Sequence, residues 1–165
     1  MPCQSISQMT SLGVLNLNFN KIKQTSNVVC LKNLNSLNQL HLSSNSLTNS
    51  DIEMIDFPAN LEVLDLSNNL IDNFPDKLLQ KVKNLNFLRI KIKQDKFMSI
   101  NQEEAAWPYM THLDLTDSII YQLPEKAFVN LSLIISDLIL KNCHLNVIHP
   151  DAFFGLSSLF GVYFK

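Results

Sequence analysis

Cys143, His144 and His149 lie close together in the stretch CHLNVIH, a grouping of thiol and imidazole that could serve a metal ion. Zinc would need three or four such ligands converging on one point. A second arrangement is spread along the chain. Asp65, Arg89 and Asp114 alternate in charge at spacings of 24 (65 to 89) and 25 (89 to 114), and Phe87 and His112 stand two residues before Arg89 and Asp114. An arginine among carboxylates and aromatic rings is a common composition for a binding hot spot. Lys91 follows Arg89 at the same alternation, and His41 stands one further step of that size before Asp65. Chemistry of the catalytic kind finds less support. No serine or cysteine has a base at a usable spacing, and the carboxylates are scattered singly. With three glycines in all, no Gly-rich loop is available to cradle phosphate. These residue types point to recognition, with no catalytic residues, no cofactor and no enzyme expected.

The recurring spacing comes from the elements that carry these side chains. LEVLDLSNNLID places leucines at Leu61, Leu64 and Leu66, an asparagine at Asn69 and Ile71 beyond it. The same order starts at positions 12, 37, 61, 85, 110, 135 and 159, so successive starts differ by 24 or 25. A fixed period of this length marks a repeat architecture. Within each repeat the alternating leucines predict a short strand with its first, fourth and sixth positions turned inward. The asparagine sits where the chain leaves the strand, and its amide can satisfy backbone groups of a buried turn. Asn20, Asn45 and Asn69 fill that position, with Ser118 and Cys143 as substitutes in later repeats. One repeat cannot bury its own apolar face, so its neighbours must do so.

L-x-x-L-x-L-x-x-N-x-L resembles the leucine-rich repeat family, and the match runs from residue 12 to residue 165. The resemblance implies an α/β-type solenoid: a curved, right-handed coil with a parallel β-sheet on its concave side and an irregular or 3-10 convex side. Residues 1–11 would be a lead-in or incomplete cap, followed by about seven repeats, the last one truncated. The segments PEKAFVNL and PDAFFGLSSL, with Phe128, Phe153 and Leu156, look like the typical 24-residue class, in which a phenylalanine spine packs the back. That class is characteristic of Toll-like receptors, small matrix proteoglycans and neuronal adhesion receptors. The resemblance therefore implies an extracellular or cell-surface parent protein and a protein or other macromolecular ligand on the concave face. By that resemblance the expected parent is a Toll-like or related cell-surface receptor, of which this chain would be part of the ectodomain; a secreted matrix or adhesion protein and a cytosolic scaffold are the alternatives.

On that register the outward residues form rows. Phe87, Arg89, Lys91, His112, Asp114, Asp65 and His41 are the expected ligand-binding set. His41 and His112 fall three strands apart, ~14 Å, and Cys143 turns inward, so no metal site is expected. His112 is expected beside Asp114. Cys30 is expected in the core of the back, some five repeats (~24 Å) from Cys143, too far for a disulfide. Asn130-Leu131-Ser132 is a glycosylation candidate.

The fourth repeat departs from the pattern. Its strand reads FLRIKIK, alternating through Lys93, with no asparagine. Phe97 or Ile100 is expected to repack the core behind it, and the stretch also holds the single tryptophan, Trp107.

Bulk composition sets the remaining bounds. The chain is 46% hydrophobic, 17% charged and carries a net charge of -2, too apolar for disorder and without the basic surplus that nucleic acid attracts. It contains no basic leader with an apolar core and no run of ~18 apolar residues. Without cysteine-rich caps, and with FGVYFK ending inside a strand, it is expected to be a fragment of a longer protein. Any membrane contact would then come from other parts of the parent; were Met1 and Lys165 the true ends, a cytosolic binding protein covering its open end by dimerisation would be expected instead.

Overall fold

The computed structural model describes residues 6, 8–23, 29–96, 108–129, 131 and 134–165. Seven short strands form one parallel sheet. In chain order they are β1 (Val14–Asn16), β2 (Gln39–His41), β3 (Val63–Leu66), β4 (Phe87–Ile90), β6 (His112–Asp114), β8 (Asp137–Ile139) and β10 (Gly161–Tyr163). Each pairs in parallel with the next, so the chain climbs one coil per repeat as a solenoid with this sheet on its concave side. The inward leucines explain the packing. Leu40, Leu64, Leu88, Leu113 and Leu138 are fully buried, and they align in one register across the sheet. Burying each such side chain contributes roughly 1.5–3 kcal/mol.

The turn after the strand has its own requirement. Phe19, Ser44, Asn68, Asp117 and Asn142, eighth in their repeats, all have φ between 52° and 64°. Asn and Asp tolerate this left-handed region, whereas β-branched residues do not. In the fourth repeat the same place holds Ile92, which keeps a negative φ and is buried. The chain therefore cannot turn as its neighbours do. The expected strand through Lys93 stops at Ile90, and Lys93 begins a separate strand, β5 (Lys93–Lys96).

That strand changes the back of the molecule. β5 pairs with β7 (Ile119–Leu123), which pairs with β9 (Val147–Ile148), giving a second, three-stranded parallel sheet. Earlier repeats instead carry a 3-10 turn at Val29–Asn33 and two short helices, α1 (Asn49–Met54) and α2 (Asp76–Lys81). The convex side is thus more regular than the 3-10 and irregular back expected. α1 opens with a capping box, Thr48 and Asp51 each bonding the other's backbone. Lys81 of α2 donates to the carbonyls of Glu53 and Ile55 at the end of α1. Phe128 is buried and stacks at 6.0 Å on Phe153, as a phenylalanine spine would require. Cys3, Phe97, Ile100, Trp107 and Asn130, and the side chain of Cys30, lie outside the described residues.

Candidate binding surface on the concave sheet

Strand pairing puts Gln39, Val63, Phe87, His112 and Asp137 in one outward row and His41, Asp65, Arg89, Asp114 and Ile139 in the next. Rows step by ~4.8 Å from strand to strand, so neighbours touch. The character changes along the sheet. β1 to β3 present small polar groups and valines, whereas β4 to β10 carry the arginine, the aromatic rings and most of the charge.

Beneath this surface the ladder side chains hold the turns. Asn69 Nδ2 donates to the carbonyls of Leu42, Leu66 and Ser67, and its Oδ1 accepts from Leu47 N–H at 3.0 Å. Asn45 does the same for Leu17, Leu42, Ser43 and Ile22. Asn20 is exposed and bonds only within its own turn. Ser118 Oγ accepts from Ile92 N–H at 3.0 Å. Cys143 Sγ lies 3.1 Å from the Leu115 carbonyl, and burial pushes the thiol pKa up to about 11. It is therefore an inward thiol that stays protonated at neutral pH. Among the described residues no three metal-ligating groups converge, and His144 is exposed away from Cys143.

The outward carboxylates are less free than their row suggests. Asp65 Oδ1 accepts from both the N–H and the hydroxyl of Ser67, at 2.9 and 2.7 Å. Asp114 Oδ1 accepts likewise from Thr116. Asn16 makes the matching bond to Asn18 N–H. These are local turns closed by an Asx side chain two residues ahead of its donor. The tripeptides DLS and DLT carry that signal in the sequence.

Arg89 is the chain's single arginine. Its Nε comes within 3.3 Å of Asp114 Oδ2 but makes no hydrogen bond. The side chain is 42% exposed. Its terminal nitrogens have no hydrogen-bond partner among the described residues.

His112 is placed differently from expectation. It faces Asp137, not Asp114: Nε2 lies 3.2 Å from Asp137 Oδ2, and Nδ1 lies 2.7 Å from Thr111 Oγ1. Third-position residues pair with third-position residues, so the register itself selects Asp137. The Phe87 ring packs 6.1 Å from the imidazole. Ser136 and Tyr163 donate to the Asp137 carboxylate. The Ser136 bond above all, against partial desolvation and with help from Tyr163 and His112, holds that carboxyl below its usual range. Ser136, Asp137 and Tyr163 thus join the surface, and the row register was the signal that could have found them. His41, on β2, stays apart from this group.

Comparison with known proteins agrees with the architecture. The family model for Leucine Rich Repeat matches residues 60–82. Lumican of Gallus gallus is 36% identical over 86 residues, covering 52% of this chain and 24% of lumican. Lumican of Bos taurus is 33% identical over 86 residues. The matched segment thus spans about a quarter of those relatives' length. Among solved structures, internalin C2 of Listeria monocytogenes superposes with a TM-score of 0.61 at 23% identity, over 97% of this chain and 74% of that one. A second Listeria monocytogenes internalin gives 0.62 at 22% identity, over 96% and 42%. At such identities the internalins bear on the fold alone.

Proposed function

Since this chain is a leucine-rich repeat protein, we propose that it recognises a protein or other macromolecular ligand on the concave sheet between β4 and β10, without catalysis. One observation carries the reading. The guanidinium of Arg89, 42% exposed and without a hydrogen bond among the described residues, stands beside Phe87 and Lys91 with its charge balanced by Asp114, whose other oxygen is engaged by Thr116.

We further infer an extracellular parent protein: the ectodomain of a Toll-like or related innate-immune receptor, whose membrane tether and signalling part lie outside this chain. The 24-residue repeat class supports that origin. Identity to the lumicans favours a second reading, a secreted matrix or adhesion protein. The full-length transcript separates them. A membrane span and cytoplasmic signalling domain downstream support the receptor, and a secreted C-terminal cap supports the matrix protein. Among the described residues no helix is long and apolar enough to cross a membrane.

The surface itself is tested by cross-linking the chain to partners captured from the medium of its native source. Links should concentrate on Lys91 and Lys141 of the concave side. Links confined to Lys32, Lys77 and Lys83 would overturn the assignment.

A further inference from the structure

The rim where the strands begin carries a polar groove separate from the concave surface. Its volume is about 480 Å³, and it is lined by Asn60, Glu62, Asn84, Asn86 and Tyr109 from three successive coils. We propose that this groove binds a neutral saccharide.

Asn60 Nδ2 donates to the Asn35 carbonyl of the preceding coil at 2.8 Å, and Asn84 Nδ2 to the Ala59 carbonyl at 2.9 Å. A backbone carbonyl only accepts, so these bonds fix which end of each amide is nitrogen. The two Oδ1 atoms therefore point away from the backbone, are held in place and have no partner among the described residues. They repeat one coil apart, ~4.8 Å. Glu62 adds an exposed carboxylate to the same lining, with no side-chain hydrogen bond or ion pair among the described residues. Asn86 is consumed internally, by the Tyr109 carbonyl and the Thr111 hydroxyl. Tyr109, 57% exposed, closes the groove with its ring.

The groove thus offers several fixed acceptors, one aromatic face and no basic side chain. Its ligand must bring several donors on a rigid frame together with an apolar face. A pyranose does both: hydroxyls donate to the amide and carboxylate oxygens, and the C–H face lies on the Tyr109 ring. Its stiffness limits the ordering cost of binding. A basic side chain is the competing ligand. It would rest on one exposed carboxylate, worth ~0–1 kcal/mol, and would leave the spaced amide oxygens unused.

The test is saturation-transfer NMR on the full chain with glucose, N-acetylglucosamine and cellobiose as probes and an oligolysine peptide as competitor. Transfer from the Tyr109 ring to sugar C–H protons is expected, with Kd near the ~1 mM scale. Tyr109→Ala should weaken binding about tenfold, a loss of ~1.4 kcal/mol. Glu62→Gln keeps an acceptor oxygen without charge, and as a near-isosteric surface change it leaves the fold intact. Saccharide binding should survive it with only a small loss. No transfer to any of the three sugars would overturn the proposal, as would sugar binding indifferent to Tyr109→Ala. Oligolysine binding abolished by Glu62→Gln, without sugar binding, would reassign the groove to basic peptides.

Discussion

Arg89 and Asp114 sit opposite each other on β4 and β6, 3.3 Å apart at Nε and Oδ2, yet no hydrogen bond joins them. The reason lies on the other side of the carboxylate. Asp114 is held by the Thr116 N–H and hydroxyl, so its orientation is set by its own turn and not by the arginine. Arg89 is left with charge compensation but with its directional donors unused, the state suited to an incoming partner.

Arg89→Gln, which adds no like charge beside the buried Asp114, should therefore strongly weaken partner binding while moving the melting temperature little. Binding is measured on the partner captured from the native medium, and melting by circular dichroism. Unchanged affinity would remove this region from the binding surface.

Asn69→Leu should destabilise the fold. It leaves the Leu66 carbonyl and the Leu47 N–H without the Asn69 amide, while the Leu42 and Ser67 carbonyls keep Asn45 Nδ2 and the Ser44 N–H. Each group left unpaired out of water costs about 1–3 kcal/mol. Urea unfolding should show a lower midpoint, whereas Asn20→Leu, at an exposed turn, should move it far less.

Asn68→Val tests the left-handed turn. Asn68 has φ 52° and an exposed side chain, so the change alters backbone preference and little else. The expected loss is about 1–2 kcal/mol by urea unfolding. A neutral result would mean that the turn relaxes as the fourth repeat does.

Cys143 gives a pH dependence. Its thiol is raised from 9.0 to about 11 by burial. The unfolded chain releases that proton first, so the contribution to stability is full below pH 9 and is lost as pH rises through about 11. Between those values Cys143→Ala should lose stability less steeply than the parent. The folded parent should also resist alkylation at Cys143 at neutral pH.

Several features of this molecule are legible in its sequence because they follow from backbone periodicity. The constant repeat period, with leucines at fixed places, determines which side chains face inward and which ones meet across strands. Hydrogen-bonded parallel strands admit no other register without turning the leucines to solvent. The roles of Asn45 and Asn69 follow from the same logic, since a buried turn needs its carbonyls satisfied wherever it occurs. The DLS and DLT turns and the row register already direct Asp65 and Asp114 to Ser67 and Thr116 and His112 to Asp137. Only the tertiary structure decided that Arg89 Nε, opposite Asp114 Oδ2, makes no hydrogen bond. Such a side chain has several partners within reach, and small differences in direction choose among them. The back of the fourth repeat was equally beyond one-dimensional reading. Ile92 refuses a left-handed turn, but the second sheet exists only because β7 and β9 lie alongside to accept β5. The rim groove depends on coils a full repeat apart in sequence stacking within one strand spacing, a closeness that only the folded chain creates.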